Sequence, residues 1–394
     1  MYSQRLSLIV CFAAMISLAL AMGIGRFAFT PLFPLMLRDG IIQSEIGALL
    51  AGSNYLGYLF GALIASRIRV PSATLISIGL IGIVIVTGLV GFTITPWVWA
   101  FLRFFAGLFS AWTLIATSSW GLRWLTSFGK SYLAGVIYAG VGLGIALAGL
   151  FCLLTAQNTS ASKMWVELSV LTGIASLFPL IVSRYFPEPP NIANSSVFEN
   201  ALPTPEIDAR GIIICYGLFG FGYILPATYL PSLARQLMDD PQIFGWAWPI
   251  FGTAAAISTI AVSFLLRKIR RLHVWAASHV VMAIGVFLPS IWTSMTSVTL
   301  AALFVGGTFM VITMIGMQEA RSRNLENSTA ILARMTSSFA FGQLLGPIAF
   351  AAIRHFGLNE ANALSWALQL AALCLLFSAV YLWRQANYFR DLKV

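Results

Sequence analysis

The chain alternates between long apolar stretches and short polar connections. Twelve apolar stretches can be counted, and most match or exceed the roughly 20 residues that a helix needs to cross a bilayer. The stretches therefore predict twelve transmembrane helices. Their approximate limits are 6–37, 43–66, 71–94, 96–121, 131–155, 163–186, 209–233, 241–266, 272–293, 297–320, 328–353 and 360–383.

One longer polar segment divides this pattern into two equal parts. Residues 187–208 hold five prolines together with Asn, Ser and Glu, a composition that cannot bury enough apolar surface to fold. We expect a flexible linker at 187–208, between an N-terminal six-helix half, 1–186, and a C-terminal six-helix half, 209–394. The predicted fold class is an all-α polytopic membrane protein with two pseudo-symmetric halves.

The two halves share short sequence features in the same order. Gly23–Arg26 in the first stretch matches Gly220–Tyr223 in the seventh, and each is followed by a proline at the same spacing. The glycine-rich segment Gly140–Gly144 of the fifth stretch matches Gly342–Pro347 of the eleventh. Several matches in order indicate an internal duplication, and two six-helix repeats of this kind are typical of transporters.

Composition excludes several other classes of protein. The chain is 59% apolar and 9% charged, whereas soluble domains carry about 25% charged residues. The four cysteines lie inside apolar stretches and the three histidines are scattered, so we expect no metal site and no cofactor. A nucleophile–base pair and a phosphate-binding loop of the type G-x-x-x-x-G-K-[ST] are not seen, so neither an enzyme nor an ATP-driven pump is expected.

The net charge of +10 is explained by membrane topology and not by a nucleic-acid partner. Sixteen Lys and Arg residues lie on the side of the N-terminus and four on the other side. Because cytoplasmic loops are enriched in Lys and Arg, we expect both termini in the cytoplasm and the chain in a bacterial cytoplasmic (inner) membrane, surrounded by lipid. The four on the opposite side are Arg38, Lys163, Arg235 and Arg354.

Three segments resemble known transporter motifs. Gly61–Arg69 is similar to the loop 2–3 motif of the major facilitator superfamily, with Ser66 in place of the usual Asp. Arg103–Ala111 resembles the fourth-helix motif of that superfamily, and Met22–Pro31 is similar to the YbfB/YjiJ family of transporters. The resemblance covers essentially the whole chain. It implies the twelve-helix fold and a transport role, and it supplies no substrate.

Arg26 is the first candidate for a functional side chain. A charge inside a span costs about 2.5–3.5 kcal/mol on insertion scales and usually faces a polar cavity. Because a guanidinium binds carboxylate or phosphate in a two-pronged geometry, Arg26 is predicted to anchor an anionic group of the substrate. The alternative is a structural arginine that binds helix-end carbonyls or extends toward the outer surface.

A second group of candidates lies on the fourth stretch. Arg103, Ser110 and Thr117 are seven residues apart and share one face of the helix, which we expect to face a substrate cavity. The superfamily resemblance implies that Arg103 also takes part in proton coupling. The alternative is a set of interhelical hydrogen bonds that only stabilises the bundle.

Further substrate-binding candidates come from the second and seventh stretches. Asn54 lies on one stripe with Gly47 and Gly61, and Tyr216 and Tyr223 lie on another. Tyr223 occupies the place of Arg26 in the repeat, and a ring with a hydroxyl suits ligands that are partly polar. Plain helix packing is the alternative for all of these residues.

A third group is predicted to act in gating and helix packing. Its glycines allow close helix contact and could let the halves rock during transport. A bend is expected at the proline of the eleventh stretch. Glu319 is expected to pair with Arg321, Arg323 or Arg334. This group comprises Gly61, Arg67, Gly140, Gly142, Gly144, Glu319, Gly342, Gly346 and Pro347.

Acidic residues are absent from the middle of every predicted span. Proton-coupled carriers commonly use a membrane carboxylate, and Glu45, near the outer start of the second stretch, is the main candidate here. We expect a monomeric secondary active transporter of a small organic molecule that works by alternating access, with proton-coupled efflux (antiport) as the first hypothesis. One alternative is uptake or exchange of an organic anion held by Arg26 and Arg103. Another is a membrane sensor or scaffold that does not transport.

Overall fold

The computed structural model describes residues 2–68, 70–187, 209–237, 241–323, 328–356 and 358–391. Within these residues, twelve helical segments are long and apolar enough to cross a membrane, which confirms the predicted number. The helices are α1 (Tyr2–Leu18), α2 (Phe29–Arg38), α3 (Ser44–Ala65), α4 (Ser72–Val90), α5 (Pro96–Ser127), α6 (Ala134–Thr155), α7 (Ala161–Tyr185), α8 (Ala209–Leu237), α9 (Pro241–Leu265), α10 (Arg271–Ile291), α11 (Met295–Arg323), α12 (Ser328–His355) and α13 (Glu360–Asp391).

The first span differs from the single helix predicted at 6–37. It consists of α1, a π-helical segment at Ala19–Phe27 and α2. A π-helix has a wider turn than an α-helix and is frequent at functional sites. The glycines of this segment permit the close approach of α6, since a Cβ at Gly23 would collide with the backbone of Gly144.

Helix pairs recur in the two parts of the chain, as expected for a duplicated fold. The fifth span, α6, packs on the first span, and the eleventh, α12, packs on the seventh, α8. Likewise α4 contacts α5 and α7, and α10 contacts α11 and α13. Residues 188–208 lie outside the described residues, so the linker and the domain limits stay predictions.

Two helix pairs make the most extensive contacts between the first six spans and the last six, with smaller contacts of α11 with α6 and of α12 with α5. The two extensive pairs are α6 with α9 and α3 with α12. Gly142 makes the first of them close, because a Cβ there would lie 2.5 Å from the backbone of both Gly252 and Ala256. On the other faces of α6, Gly140 and Gly144 leave no room for a Cβ against the first span. Small residues therefore determine how closely these helices approach.

Glycines also determine the spacing of α12 and α3 from their neighbours within each half. A Cβ at Gly342 would collide with the backbone of Gly217, and one at Gly346 with the side chain of Ile224. On α3, a Cβ at Gly61 would lie 2.7 Å from the carbonyl oxygen of Leu108. Pro347 lies inside α12, and the bend predicted there stays a prediction.

Candidate functional site

A small cavity is lined by residues of both halves. Its volume of about 10 Å³ is room for roughly one water molecule. Six of its eleven lining residues carry aromatic rings, and the described set contains no charged side chain. The lining residues are Met22, Phe27, Tyr58, Leu114, Val141, Tyr216, Tyr223, Phe309, Met310, Thr313 and Phe339.

Arg26 is buried beside this cavity, with 3% of its surface exposed. Its Nη2 donates a hydrogen bond to Oε1 of Gln343, which lies on α12 in the other half. The guanidinium carbon lies 3.9 Å from the ring centroid of Tyr58 and 5.8 Å from that of Phe339. A cation over aromatic faces is attracted by their quadrupoles, yet in the described part of the chain no carboxylate pairs with Arg26.

Several buried N–H donors at this point have no hydrogen-bond partner among the described residues. They are Nε and Nη1 of Arg26 and Nε2 of Gln343. The hydroxyl of Tyr223, which lines the cavity, is also without a partner in the described part. A buried polar group left unpaired costs about 1–3 kcal/mol. The site therefore offers donors and one positive charge, which matches the needs of an anionic oxygen.

Arg103 has a different environment from Arg26. Its Nη1 donates to the carbonyl oxygen of Gly25 at 3.1 Å, and its Nη2 donates to that of Arg26 at 3.0 Å. Asn54 in turn donates from Nδ2 to the carbonyl oxygen of Arg103 at 3.0 Å. These contacts support the structural alternative for Arg103, because its guanidinium holds the end of the π-helical segment that carries Arg26.

The face of α5 that carries Arg103, Ser110 and Thr117 packs mainly against the first span and not against an open cavity. Ser110 donates from Oγ to the carbonyl oxygen of Ala21 at 2.7 Å. Thr117 is fully buried, and its hydroxyl has no partner among the described residues. Arg103 and Ser110 of α5 therefore both donate hydrogen bonds to backbone carbonyls of the π-helical segment.

Tyr216 and Tyr223 both line the cavity, as expected if α8 contributes to a ligand site. The ring of Tyr223 stacks on Phe309 with centroids 5.1 Å apart and an angle of 17°. Tyr216 lies 5.5 Å from Phe339. Both tyrosines are buried, so their role in binding remains a prediction that depends on the halves moving apart.

Glu319, the acid predicted to act in gating, is not among the residues that line the cavity. Glu319 pairs with Arg323 at 2.9 Å and with Arg271 at 3.7 Å, both within the second half. Arg67 is exposed. The side chain of Glu45 lies outside the described residues, so its role in coupling stays a prediction.

Contacts between the halves close the end of the bundle that carries both chain termini, which we call the terminal end. Arg321 on α11 donates to the carbonyl oxygen of Leu122 at 2.9 Å and to Oγ1 of Thr126 at 2.8 Å. The hydroxyl of Ser119 lies 3.3 Å from that of Ser328. The guanidinium of Arg321, and not that of Arg323, therefore spans the two halves.

Two important residues, Gln343 and Tyr58, were not among the sequence candidates although each carried a signal, and Arg321 was named only as a possible partner of Glu319. Gln343 lies inside the quoted segment Gly342–Pro347, where an amide in an apolar helix is itself unusual. Tyr58 follows Asn54 by four residues and so lies on the same face of α3. The position of Arg321 across the two halves had no local signal, because its partners are on α5.

Comparison with known families supports the fold. The sequence model of a family described as an uncharacterised MFS-type transporter, YbfB, matches residues 18–382. No curated protein matches the chain. The matched range includes the whole candidate site, from the π-helical segment to α12.

Proposed function

We propose, because the chain belongs to the family of MFS-type transporters described by YbfB, that it carries a small organic anion across the membrane by alternating access. The observation behind this proposal is the charge balance at the cavity. Arg26 is a buried cation with two unpaired N–H groups and no carboxylate partner in the described part of the chain. The missing partner would be the substrate itself.

The electrostatics favour an anion over a neutral or cationic substrate. A buried charge is tolerated in a span when it is paired or faces a polar cavity. Gln343 offers Arg26 only a neutral oxygen, whereas a carboxylate would add charge-assisted hydrogen bonds of about twice the strength. A cationic substrate would instead meet repulsion from Arg26 with no acid to offset it among the described lining residues.

The position of the site supports alternating access. Arg26 belongs to the first half and Gln343 to the second, so the hydrogen bond between them crosses the surface along which the halves would move. The cavity is too small for an organic molecule, and the terminal end is closed by Arg321. Transport therefore requires the halves to separate first at one end and then at the other.

Proton-coupled efflux, the first hypothesis from the sequence, gains less support. Arg103 uses two of its nitrogens to bind backbone carbonyls, and the side chain of Glu45 lies outside the described residues. Proton coupling and the direction of transport therefore rest on the superfamily resemblance alone. A sensor or scaffold without transport has no specific observation in its favour.

The proposal includes a cellular setting. The Lys and Arg distribution supports a cytoplasmic membrane with both termini inside the cell. A monomer is the expected working unit, since one chain supplies Arg26, Gln343 and the rings on both sides of the cavity. Neither a nucleic acid nor a cofactor has a part in the proposed transport.

The test is thermal stability of the purified protein in detergent with a panel of carboxylates, phosphate esters, sugars, amino acids and hydrophobic cations. A ligand of the folded state raises the melting temperature by mass action. We expect a rise with anions that is lost in Arg26→Gln and kept in Arg354→Gln, which removes the same charge from an exposed position on α12. A response only to neutral or cationic compounds would overturn the proposal.

A further inference from the structure

The aromatic rings of the second half form an ordered surface beside the cavity. Tyr223 stacks on Phe309 at 17°, Phe309 stacks on Phe251 at 26°, and Phe251 stacks on Trp248 at 6°. The centroid separations along this series are 5.1, 5.3 and 5.4 Å. We call these four residues the ring column. Because aromatic rings attract one another in edge-to-face as well as offset-stacked arrangements, such a surface suits a flat ring better than a puckered or branched group.

One residue of the first half covers the ring column in the closed protein. The ring of Phe27 meets Phe309 edge to face at 6.3 Å and 82° and meets Trp248 at 6.4 Å and 62°. Phe27 follows Arg26 directly in the chain. Separation of the halves would therefore uncover the ring column next to the guanidinium of Arg26.

Distances around Arg26 limit how far the charge of a ligand can lie from its ring. The guanidinium carbon lies 5.5 Å from the centroid of Phe27 and 5.8 Å from that of Phe339. A ligand that binds Arg26 and also fills the space of the Phe27 ring needs a short connection between carboxylate and ring. A direct bond or a single carbon atom meets that requirement.

The same surroundings limit the ligand to one negative charge. Arg26 has unpaired donors on Nε and Nη1, whereas Arg103 has only Nε unpaired, because its other two nitrogens donate to the carbonyls of Gly25 and Arg26. The other cavity residues of the described set are aromatic or aliphatic, apart from Thr313. A second carboxylate would therefore find only one remaining donor, Nε of Arg103, and would be buried with poor pairing.

On the basis of the proposed function, we infer that the substrate is a planar aromatic monocarboxylate. Its carboxylate accepts hydrogen bonds from Arg26 in the first half and from Nε2 of Gln343 in the second, both of which carry unpaired donors. Its ring takes the place of Phe27 and packs edge to face against the ring column, as Phe27 does. Because one carboxylate then contacts both halves, binding favours an occluded state in which the halves close around the substrate while Phe27 stays displaced from the ring column.

The first test compares probes of matched size by thermal stability of the wild-type protein in detergent. Benzoate raises the melting temperature, and it acts at a concentration about tenfold lower than the non-planar cyclohexanecarboxylate, because edge-to-face ring contacts add to the burial of apolar surface. Phthalate, a dianion, and benzamide, which is neutral, give no shift.

The outcomes separate this inference from the proposed function. An equal or larger response to cyclohexanecarboxylate or hexanoate overturns the aromatic specificity and leaves an organic-anion carrier. A response to phthalate equal to that of benzoate overturns the limit of one charge. No response to any carboxylate contradicts the proposed function itself, and the inference falls with it.

The second test places a carboxylate inside the protein. Gln343→Glu is close to isosteric and sets an acid beside the guanidinium of Arg26. We expect the melting temperature without ligand to rise and the benzoate shift to disappear, because the internal carboxylate occupies the donors. Gln43→Glu, at an exposed position, is the matched control and keeps the shift.

A benzoate shift that persists in Gln343→Glu would overturn the assignment of Gln343 to the carboxylate site. If Gln343→Glu does not yield folded protein, Gln343→Asn replaces it, and a shorter amide is expected to weaken benzoate binding severalfold. Unchanged benzoate binding in Gln343→Asn would likewise overturn the assignment of Gln343 to the carboxylate site.

Discussion

The contact between α6 and α9 allows the sharpest prediction about stability. At Gly142, an added Cβ would lie 2.5 Å from the carbonyl oxygen of Gly252 and from the backbone nitrogen of Ala256. Ordinary contact begins at 3.4 Å, so Gly142→Ala forces the helices about 0.9 Å apart. Both colliding atoms belong to the backbone, so a change of rotamer cannot relieve the clash. Overpacking of this kind typically costs about 1–3 kcal/mol.

Gly307→Ala is the matched control, because a Cβ at Gly307 has no atom within 4 Å. Both substitutions gain the same helix propensity of about 1 kcal/mol, which cancels when the variants are compared. Equilibrium unfolding in mixed micelles should therefore show Gly142→Ala to be about 1–3 kcal/mol less stable than Gly307→Ala. Equal stability of the two variants would refute the close approach of the two halves at this point.

Three further predictions concern the gate, the π-helical segment and the topology. Arg321→Ala removes two hydrogen bonds between the halves, so an impermeant maleimide should label Ser119→Cys faster from the terminal end, and an unchanged rate would count against this gate. Ser110→Ala removes the hydrogen bond to the carbonyl oxygen of Ala21 and should cost about 1 kcal/mol of stability relative to Ser77→Ala, because the hydroxyl of Ser77 binds only within its own helix; equal stabilities would contradict this. Alkaline phosphatase is expected to be inactive when it is fused after residue 394, on the cytoplasmic side, and active when it is fused after Asn158, on the opposite side. The reverse result would overturn the predicted orientation.

The sequence predicted the twelve spans well because bilayer thickness sets helix length, and apolar runs of that length are visible in the chain. It did not predict the π-helical segment at Ala19–Phe27. Those residues suit an α-helix locally, and the wider turn is stabilised by distant contacts from Arg103 and Ser110. Local patterns carry no information about such contacts, which join residues 77 to 89 positions apart.

The candidate site was predictable in part for a similar reason. The cost of a charge in a span identified Arg26 without any structure. Its hydrogen-bond partner, Gln343, is 317 residues away, so only the folded chain shows that the contact crosses the halves. The same argument, from the free-energy cost of a charge in a span, predicted that Arg103 faces the cavity. In the structure its guanidinium donates to backbone carbonyls.

The central claim is that Arg26 binds the anion that the protein transports. Counterflow in proteoliposomes tests it most directly, with the labelled carboxylate that gives the largest melting-temperature shift and an excess of the unlabelled compound inside. Transient accumulation of label is predicted for the wild type and for Arg354→Gln, and none for Arg26→Gln when that variant is folded. Equal counterflow in Arg26→Gln, or no counterflow of any carboxylate in the wild type, would contradict the account.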